Sequence, residues 1–231
     1  MSQRFDRFKD AEWFGDRTVL IGGCGGIGSW LSLFLSRAGF TQVIYDDDKV
    51  EEHNIGGQLY GIKNVGKTKV DSMVEIIHQF TGDNKVHVFC ERMDKTSPTN
   101  NYVFSAFDNM KARKELFHNW LESHGKSNDA IFIDGRLAAE SLQVYTVKGN
   151  DSDSIKNYGE SLFDDSEVEE EPCTLKQTTH MAAMIASIMT GFFTNYIVNV
   201  NEKEEVRQVP NFHSYYLPNH YYNAINSTNF K

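Results

Sequence analysis

The feature that most restricts this chain is a run of glycines, Gly23-Cys24-Gly25-Gly26-Ile27-Gly28, set between two stretches of different hydrophobic period. Ahead of it, Thr18–Ile21 is a short apolar run of the kind that forms a buried strand. Behind it, Ile27, Trp30, Leu31, Phe34 and Leu35 recur at helical spacing. A G-x-G-x-x-G at a strand-to-helix junction allows a tight turn. It also brings backbone N–H groups close to a phosphate at the positive end of the helix. Asp46 follows eighteen residues after Gly28, at the end of the next strand, where a carboxylate can accept hydrogen bonds from ribose hydroxyls. Together these features point to a bound nucleotide without naming it, because NAD enzymes carry the same pair. A glycine turn can also be purely structural, but the strand–helix context and the acid favour a nucleotide.

The strand–helix alternation continues down the chain. Gln42–Tyr45 reads as a strand, Val70, Met73, Val74 and Ile77 as one helix face, and Val86–Phe89 as a strand. A strand at Tyr102–Phe107 precedes a helix from about Met110 to Ser123, and Ala130–Ile133 gives another strand. Such alternation requires crossovers, hence an α/β fold with a doubly wound, mostly parallel sheet covered on both faces. After Gly135 the pattern changes. Ser141–Val147 alternates as an antiparallel edge strand does, and a long uncharged helix and an aromatic tail, Val209–Tyr222, follow later. The organisation expected is a nucleotide-binding part over residues 1–147. Residues 148–231 add an acidic crossover loop, a core helix and a C-terminal extension of the same domain. Phe212, Tyr215, Tyr216, Tyr221 and Tyr222 are left to bury against that domain or against a partner.

The net charge of −9 is concentrated in one place. Residues 151–171 hold nine acids against one base, Lys156, and read as a solvated loop. The remainder is close to neutral and offers no basic stripe, so nucleic acid is not an expected partner. Cys24, Cys90 and Cys173 are odd in number and lack a C-x-x-C pair, which encodes neither a disulfide framework nor a four-cysteine zinc site. A reducing, cytoplasmic setting is expected. Met1–Phe14 shows no apolar run of the signal-peptide kind. Met181–Val200 is long enough to cross a bilayer, yet its Ser187, Thr190, Thr194, Asn195 and Asn199 fit a core helix better, and no membrane is expected.

The stretch from Asp46 narrows the reading. Asp46-Asp47-Asp48-Lys49-Val50-Glu51-Glu52-His53-Asn54-Ile55-Gly56-Gly57-Gln58, followed by Gly66-Lys67-Thr68-Lys69, resembles the ThiF/MoeB/ubiquitin-activating-enzyme family. That family's signature runs D-x-D-x-V-x-x-x-N-[LI]-x-R-Q and then G-x-x-K. Asp108-Asn109 with Arg113 is similar to its D-N-x-x-x-R, and Arg4-Phe5-Asp6-Arg7 to its R-[YF]-x-R. The resemblance implies an adenylyltransferase that uses ATP and Mg2+ to activate the terminal carboxylate of a ubiquitin-like β-grasp carrier protein. It further implies that Gly23, Gly25, Gly26 and Gly28 cradle the nucleotide and that Asp46 holds the ribose. By the same carry-over, Asn54 and Gln58 contact phosphates and Lys69 neutralises the α- and β-phosphates. Asp108 binds the magnesium, while Asp48 and Asn109 belong to the same nucleotide site. In such relatives the residue matching Arg7 reaches the partner subunit's nucleotide, which implies a homodimer.

One position departs from the pattern. Gly57 stands where the family has arginine, and losing a charged donor of this type typically costs about 10²–10³ in rate. Arg136, at the end of the last core strand, is the candidate replacement, weighed against an ordinary surface arginine. Pro172-Cys173-Thr174-Leu175 resembles the P-x-C-T-[LI] of ubiquitin-activating enzymes, whose cysteine takes the activated protein as a thioester, with the proline here one residue closer. A helix start nearby would lower the thiol's pKa, and a buried inert cysteine is the alternative. Cys24 reads as packing only. Two further functions stay open: a scaffold subunit marked by Gly57, and an NAD-dependent oxidoreductase that leaves Asn54, Gln58 and Lys69 without a role.

Overall fold

The computed structural model describes residues 17–82, 85–163 and 178–226. Its centre is one eight-stranded sheet of order β3-β2-β1-β4-β5-β6-β7-β8. β1 (Thr18–Gly22), β2 (Thr41–Tyr45), β3 (Val86–Phe89), β4 (Tyr102–Ser105) and the start of β5 (Ile131–Ala138) are parallel. Four of the five residues of β1 and all of β4 are buried, which is why they read as unbroken apolar runs. The chain leaves β1 toward β2 and β3, then returns to β4 on the other side. Strand order therefore reverses between β1 and β4, and a crevice opens beyond their C-terminal ends.

Helices cover both faces. On one side lie α1 (Gly26–Ala38), α2 (Lys69–Thr81) and the long α5 (Thr179–Glu202). The i, i+4 series Met181, Ile185, Met189, Phe193 and Ile197 in α5 is fully buried, and the Phe193 ring meets Phe40, Phe104 and Tyr102 at 5.0, 5.3 and 5.4 Å. By length and composition α5 also meets the requirement for crossing a bilayer. On the other side α3 (Met110–His124) sets Leu116, Phe117 and Trp120 against Val103 and Phe132.

Two expectations are corrected here. Residues 152–160, read within a solvated acidic loop, form a helix, α4 (Ser152–Glu160), capped by the Asp151 carboxylate on the N–H groups of Asp153 and Ser154. Charge density hid its single buried face, where Tyr158 is packed at 4.6 Å from the Phe117 ring and 5.6 Å from Tyr145. Secondly, β6 (Ser141–Lys148) is antiparallel to β5 but is not an edge. The aromatic tail supplies β7 (Phe212–Tyr216) and β8 (Tyr221–Ile225), a hairpin that carries the sheet on, with Tyr221 and Tyr222 left mostly exposed.

Candidate active site

The glycine turn leaves β1 at the reversal point. Gly23 has φ +90°, the left-handed region, and a Cβ there would stand 2.9 Å from the Ala106 carbonyl oxygen of the neighbouring strand end. A Cβ on Gly28 would overlap the Gly23 carbonyl oxygen, so the turn closes this tightly only without side chains at both positions. α1 begins at Gly26, with unpaired N–H groups and the positive end of its dipole facing the crevice.

Asp46 directly follows β2 beside this turn. Its Oδ2 accepts the Cys24 N–H at 2.6 Å and its Oδ1 accepts the Asp48 N–H at 2.9 Å. Tyr60, a residue with no sequence signal beyond its place after the motif, holds the other side of the turn by donating its hydroxyl to the Cys24 carbonyl at 2.6 Å. Cys24 is thus clamped at both backbone atoms. Burial first, then Asp46, push its thiol up to about 12, which leaves it inert as a nucleophile and agrees with a packing role.

Lys69 is the first residue of α2, a position where a cation opposes the helix dipole. It is nonetheless buried, with Nζ 2.7 Å from Asp48 Oδ2 and 4.0 Å from Asp46 Oδ1. Burial works against its charge, but the two carboxylates outweigh it and the ammonium is held above its usual value. Asp46 moves up as well: its own burial raises the carboxyl more than Lys69 and the two N–H groups lower it. One cation serves two carboxylates here, and the buried one, farther from it, is the less satisfied. The Gln58 side chain is buried over the turn, Nε2 lying 4.0 Å from where a Gly25 Cβ would sit, and its Oε1 has no hydrogen-bond partner. A clamped glycine turn, a ribose-type carboxylate, a buried ammonium and an unpaired amide oxygen form a donor and acceptor set that fits a nucleoside phosphate.

Other residues of the motif do different work. Asn54 is buried with Oδ1 accepting the Glu51 N–H at 2.8 Å, so that atom caps the short 3₁₀ turn Glu52–Gly56. Asn109 caps α3 through the Ala112 N–H at 2.8 Å. That frees Asp108, exposed at the crevice just past β4, from any capping duty. Arg136 does not replace the arginine missing at Gly57. Its guanidinium is bound to Asp134 (2.8 Å) and to Ser161 (3.0 and 3.1 Å), and it lies 4.3 Å over the Tyr145 ring on the α3–α4 side of the sheet. Arg7 and Cys173 lie outside the described residues. The Thr179 hydroxyl at the start of α5 donates to the Gly56 carbonyl, which brings that helix end to the motif loop.

The sequence profile of the ThiF family matches residues 8–229 of this chain. Among curated proteins, ubiquitin-like modifier-activating enzyme 5 of Bombyx mori is 29% identical over 144 residues, covering 52% of this chain and 36% of that protein. Adenylyltransferase and sulfurtransferase uba4 of Aspergillus niger is 35% identical over 92 residues, covering 39% of this chain and 19% of that protein. The Escherichia coli tRNA threonylcarbamoyladenosine dehydratase is 29% identical over 119 residues, covering 47% and 43%. The chain thus spans less than half the length of these relatives. The crystal structure of E. coli MccB with ATP shares the fold at TM-score 0.72 and 15% identity, over 94% of this chain and 65% of that one. With a profile match over nearly its whole length, this chain belongs to the ThiF family.

Proposed function

We propose that the chain is an ATP-dependent adenylyltransferase that joins the C-terminal carboxylate of a ubiquitin-like or sulfur-carrier protein to AMP. The observation that carries this is Lys69, a buried ammonium at an unfavourable helix position, aimed at the Asp46–Asp48 pair beside a glycine turn. A carboxylate oxygen of the carrier would attack the α-phosphorus, forming the acyl–phosphate bond as the α–β phosphoanhydride breaks and pyrophosphate leaves. No proton moves, because the attacking carboxylate is already ionised at neutral pH. Negative charge gathers on the phosphoryl oxygens, where a fixed cation and the free N–H groups at the start of α1 stabilise it.

Among the described residues no group of three or more His, Cys, Asp or Glu side chains comes together to hold a metal. Asp108 fits a Mg2+ that takes one protein carboxylate and completes its shell with phosphate oxygens and water. The names of the Bombyx and Aspergillus relatives, a modifier-activating enzyme and an adenylyltransferase, support activation of a carrier over hydride transfer to NAD. We further propose a homodimer in which Arg7 reaches the neighbouring site, and later transfer of the carrier to Cys173.

A second reading is favoured by one observation. Gly57 lacks the family's cation and Arg136 is committed elsewhere, as expected of a subunit that scaffolds a catalytic partner. Pyrophosphate exchange into ATP, measured with candidate carriers, separates the two. Carrier-dependent exchange that disappears with Asp108→Ala supports catalysis; no exchange with any carrier, alongside normal folding, supports the scaffold.

A further inference from the structure

Asp134 is fully buried near the end of the parallel sheet, level with Ser105 and, one strand further, with Gly22 at the foot of the glycine turn. Two arginines converge on it. Arg113 donates Nη1 to Asp134 Oδ1 and to the Gly135 carbonyl at 2.9 Å, and Nη2 to the Phe107 carbonyl. Arg136 donates Nε to Asp134 Oδ2 at 2.8 Å and its other two nitrogens to Ser161 at the end of α4. Burial works to raise the Asp134 carboxyl, but Arg113 and then Arg136 hold it below the usual carboxylate range. Removing a carboxylate and two guanidiniums from water is expensive, and an apolar cluster would often serve stability as well. Such a triad is most useful where a fixed geometry is needed.

The geometry it fixes is next to Asp108. The loop after β4 is held at one end by the Ala106 N–H, which donates to the Gly22 carbonyl at 2.8 Å, and at the other by Arg113 on the Phe107 carbonyl. Asp108 is the next residue and its side chain stands exposed in the crevice. We propose that Arg113, anchored on Asp134, is a positioning residue that sets the Phe107–Asp108 backbone and so places the Asp108 carboxylate to hold the Mg2+ that accompanies ATP. This rests on the adenylation reading above. A planar five-donor fork can hold a carboxylate and two carbonyls together, whereas an ammonium cannot keep all three at those directions. Arg113→Lys therefore keeps the buried charge paired while releasing the loop, and is gentler than Asp134→Asn, which leaves two buried cations short of a counterion.

The test is calorimetric binding of ATP with Mg2+ and of ATP in EDTA, alongside thermal denaturation, for the wild type, Arg113→Lys, Asp134→Asn and Ser161→Ala. In the wild type Mg2+ should tighten ATP binding. In Arg113→Lys that gain should fall by about tenfold or more, the scale on which residues supporting a metal ligand act, with metal-free affinity within about twofold of wild type. Ser161→Ala removes only the hydroxyl half of the α4 arm and should keep the full gain; Asp134→Asn, where it folds, should behave as Arg113→Lys. A Mg2+ gain that survives in Arg113→Lys, even with a lowered melting temperature, makes the triad purely structural and overturns the proposal. An equal loss in Ser161→Ala overturns it too, because the effect would not run through Phe107. A wild type that binds no ATP sinks the adenylation reading itself and this inference with it.

Discussion

Replacing Lys69 with methionine separates the chemical role of this residue from its structural one. Methionine keeps most of the apolar stem and removes only the charge. The partner at 2.7 Å, Asp48, has a side chain 62% exposed, and an ion pair with so exposed a member contributes about 0–1 kcal/mol. The Asp46 contact is longer, 4.0 Å, but both side chains are 9% exposed, and two unit charges at that distance interact by roughly 4 kcal/mol at an effective dielectric near 20. Against this stand the desolvation of the ammonium and the helix dipole, the latter opposing a cation at the first helical position by about 0.3–1 kcal/mol. The balance leaves a net stability loss of about 1–2 kcal/mol, and at this chain length each kcal/mol moves the melting temperature by about 2–4 °C. Exchange should suffer far more. Removing one fixed stabiliser of the phosphoryl charge typically costs about 10²–10³ in rate. Differential scanning calorimetry and carrier-dependent pyrophosphate exchange on one preparation of Lys69→Met give both numbers. Exchange within tenfold of wild type would refute the assignment of Lys69 to the phosphates, and a drop of more than about 15 °C would show it to be chiefly a structural ion.

Three other outcomes follow from the same geometry. Gly25→Ala should fold normally, since its methyl meets only Gln58 Nε2 at 4.0 Å, yet weaken ATP binding by filling the cradle; Gly28→Ala should lose stability too, by about 1–3 kcal/mol or more, because its methyl overlaps the Gly23 carbonyl. Equal melting temperatures for the two variants would contradict this. The depressed Asp134 carboxyl contributes stability that is complete above about pH 4, where an unfolded aspartate is ionised, and is lost as pH falls through its lower folded value; urea midpoints of the wild type should drop on that limb and those of Asp134→Asn should drop less. With iodoacetamide at neutral pH, peptide mass spectrometry should find exposed Cys90 modified quickly and Cys24 only at the rate of unfolding; rapid modification of Cys24 would mean that the turn opens in the native state.

Most of the parallel half was legible because strands buried on both faces, such as β1 and β4, must be uninterrupted apolar runs, while the half-exposed edge strand Val86–Phe89 was marked by its alternation. The antiparallel half was not. Nothing in Ser141–Val147 says that another strand will cover it, and the partner that does, Phe212–Tyr216, lies more than sixty residues away across α4 and α5. In the candidate site, the charged residues that the structure brings together beside the glycine turn, Asp46 and Lys69, were marked by type and spacing. Bonds that hold the site in shape were not legible, because the same polar side chains serve either purpose. Asn54 caps a 3₁₀ turn and Asn109 caps α3, Arg136 braces Asp134, and Tyr60 clamps Cys24. Only three-dimensional bonding separates a free amide such as Gln58 Oε1 from one already engaged.

That bonding also bears on what the site still needs. Asp46 and Asp48 share the Lys69 ammonium, and Asp108 adds a third carboxylate at the crevice. Arg113 and Arg136 are both bound one layer below to the single carboxylate of Asp134, a triad of net charge +1, and Lys67 is paired with Glu75 at 2.7 Å on the outer face of α2. A triphosphate entering beside three carboxylates and one ammonium meets a surplus of negative charge that α1's positive end offsets only in part, since a helix terminus amounts to about half a unit charge. When phosphate reaches Lys69, Asp48 is the carboxylate that can yield the ammonium at little cost, because its exposed side chain returns to water. Asp46, buried and clamped to the turn, cannot. Among the described residues that surplus is not met, which favours the proposed Mg2+ on Asp108 and leaves a use for the proposed Arg7. Tight binding of metal-free ATP to an isolated monomer would remove that support.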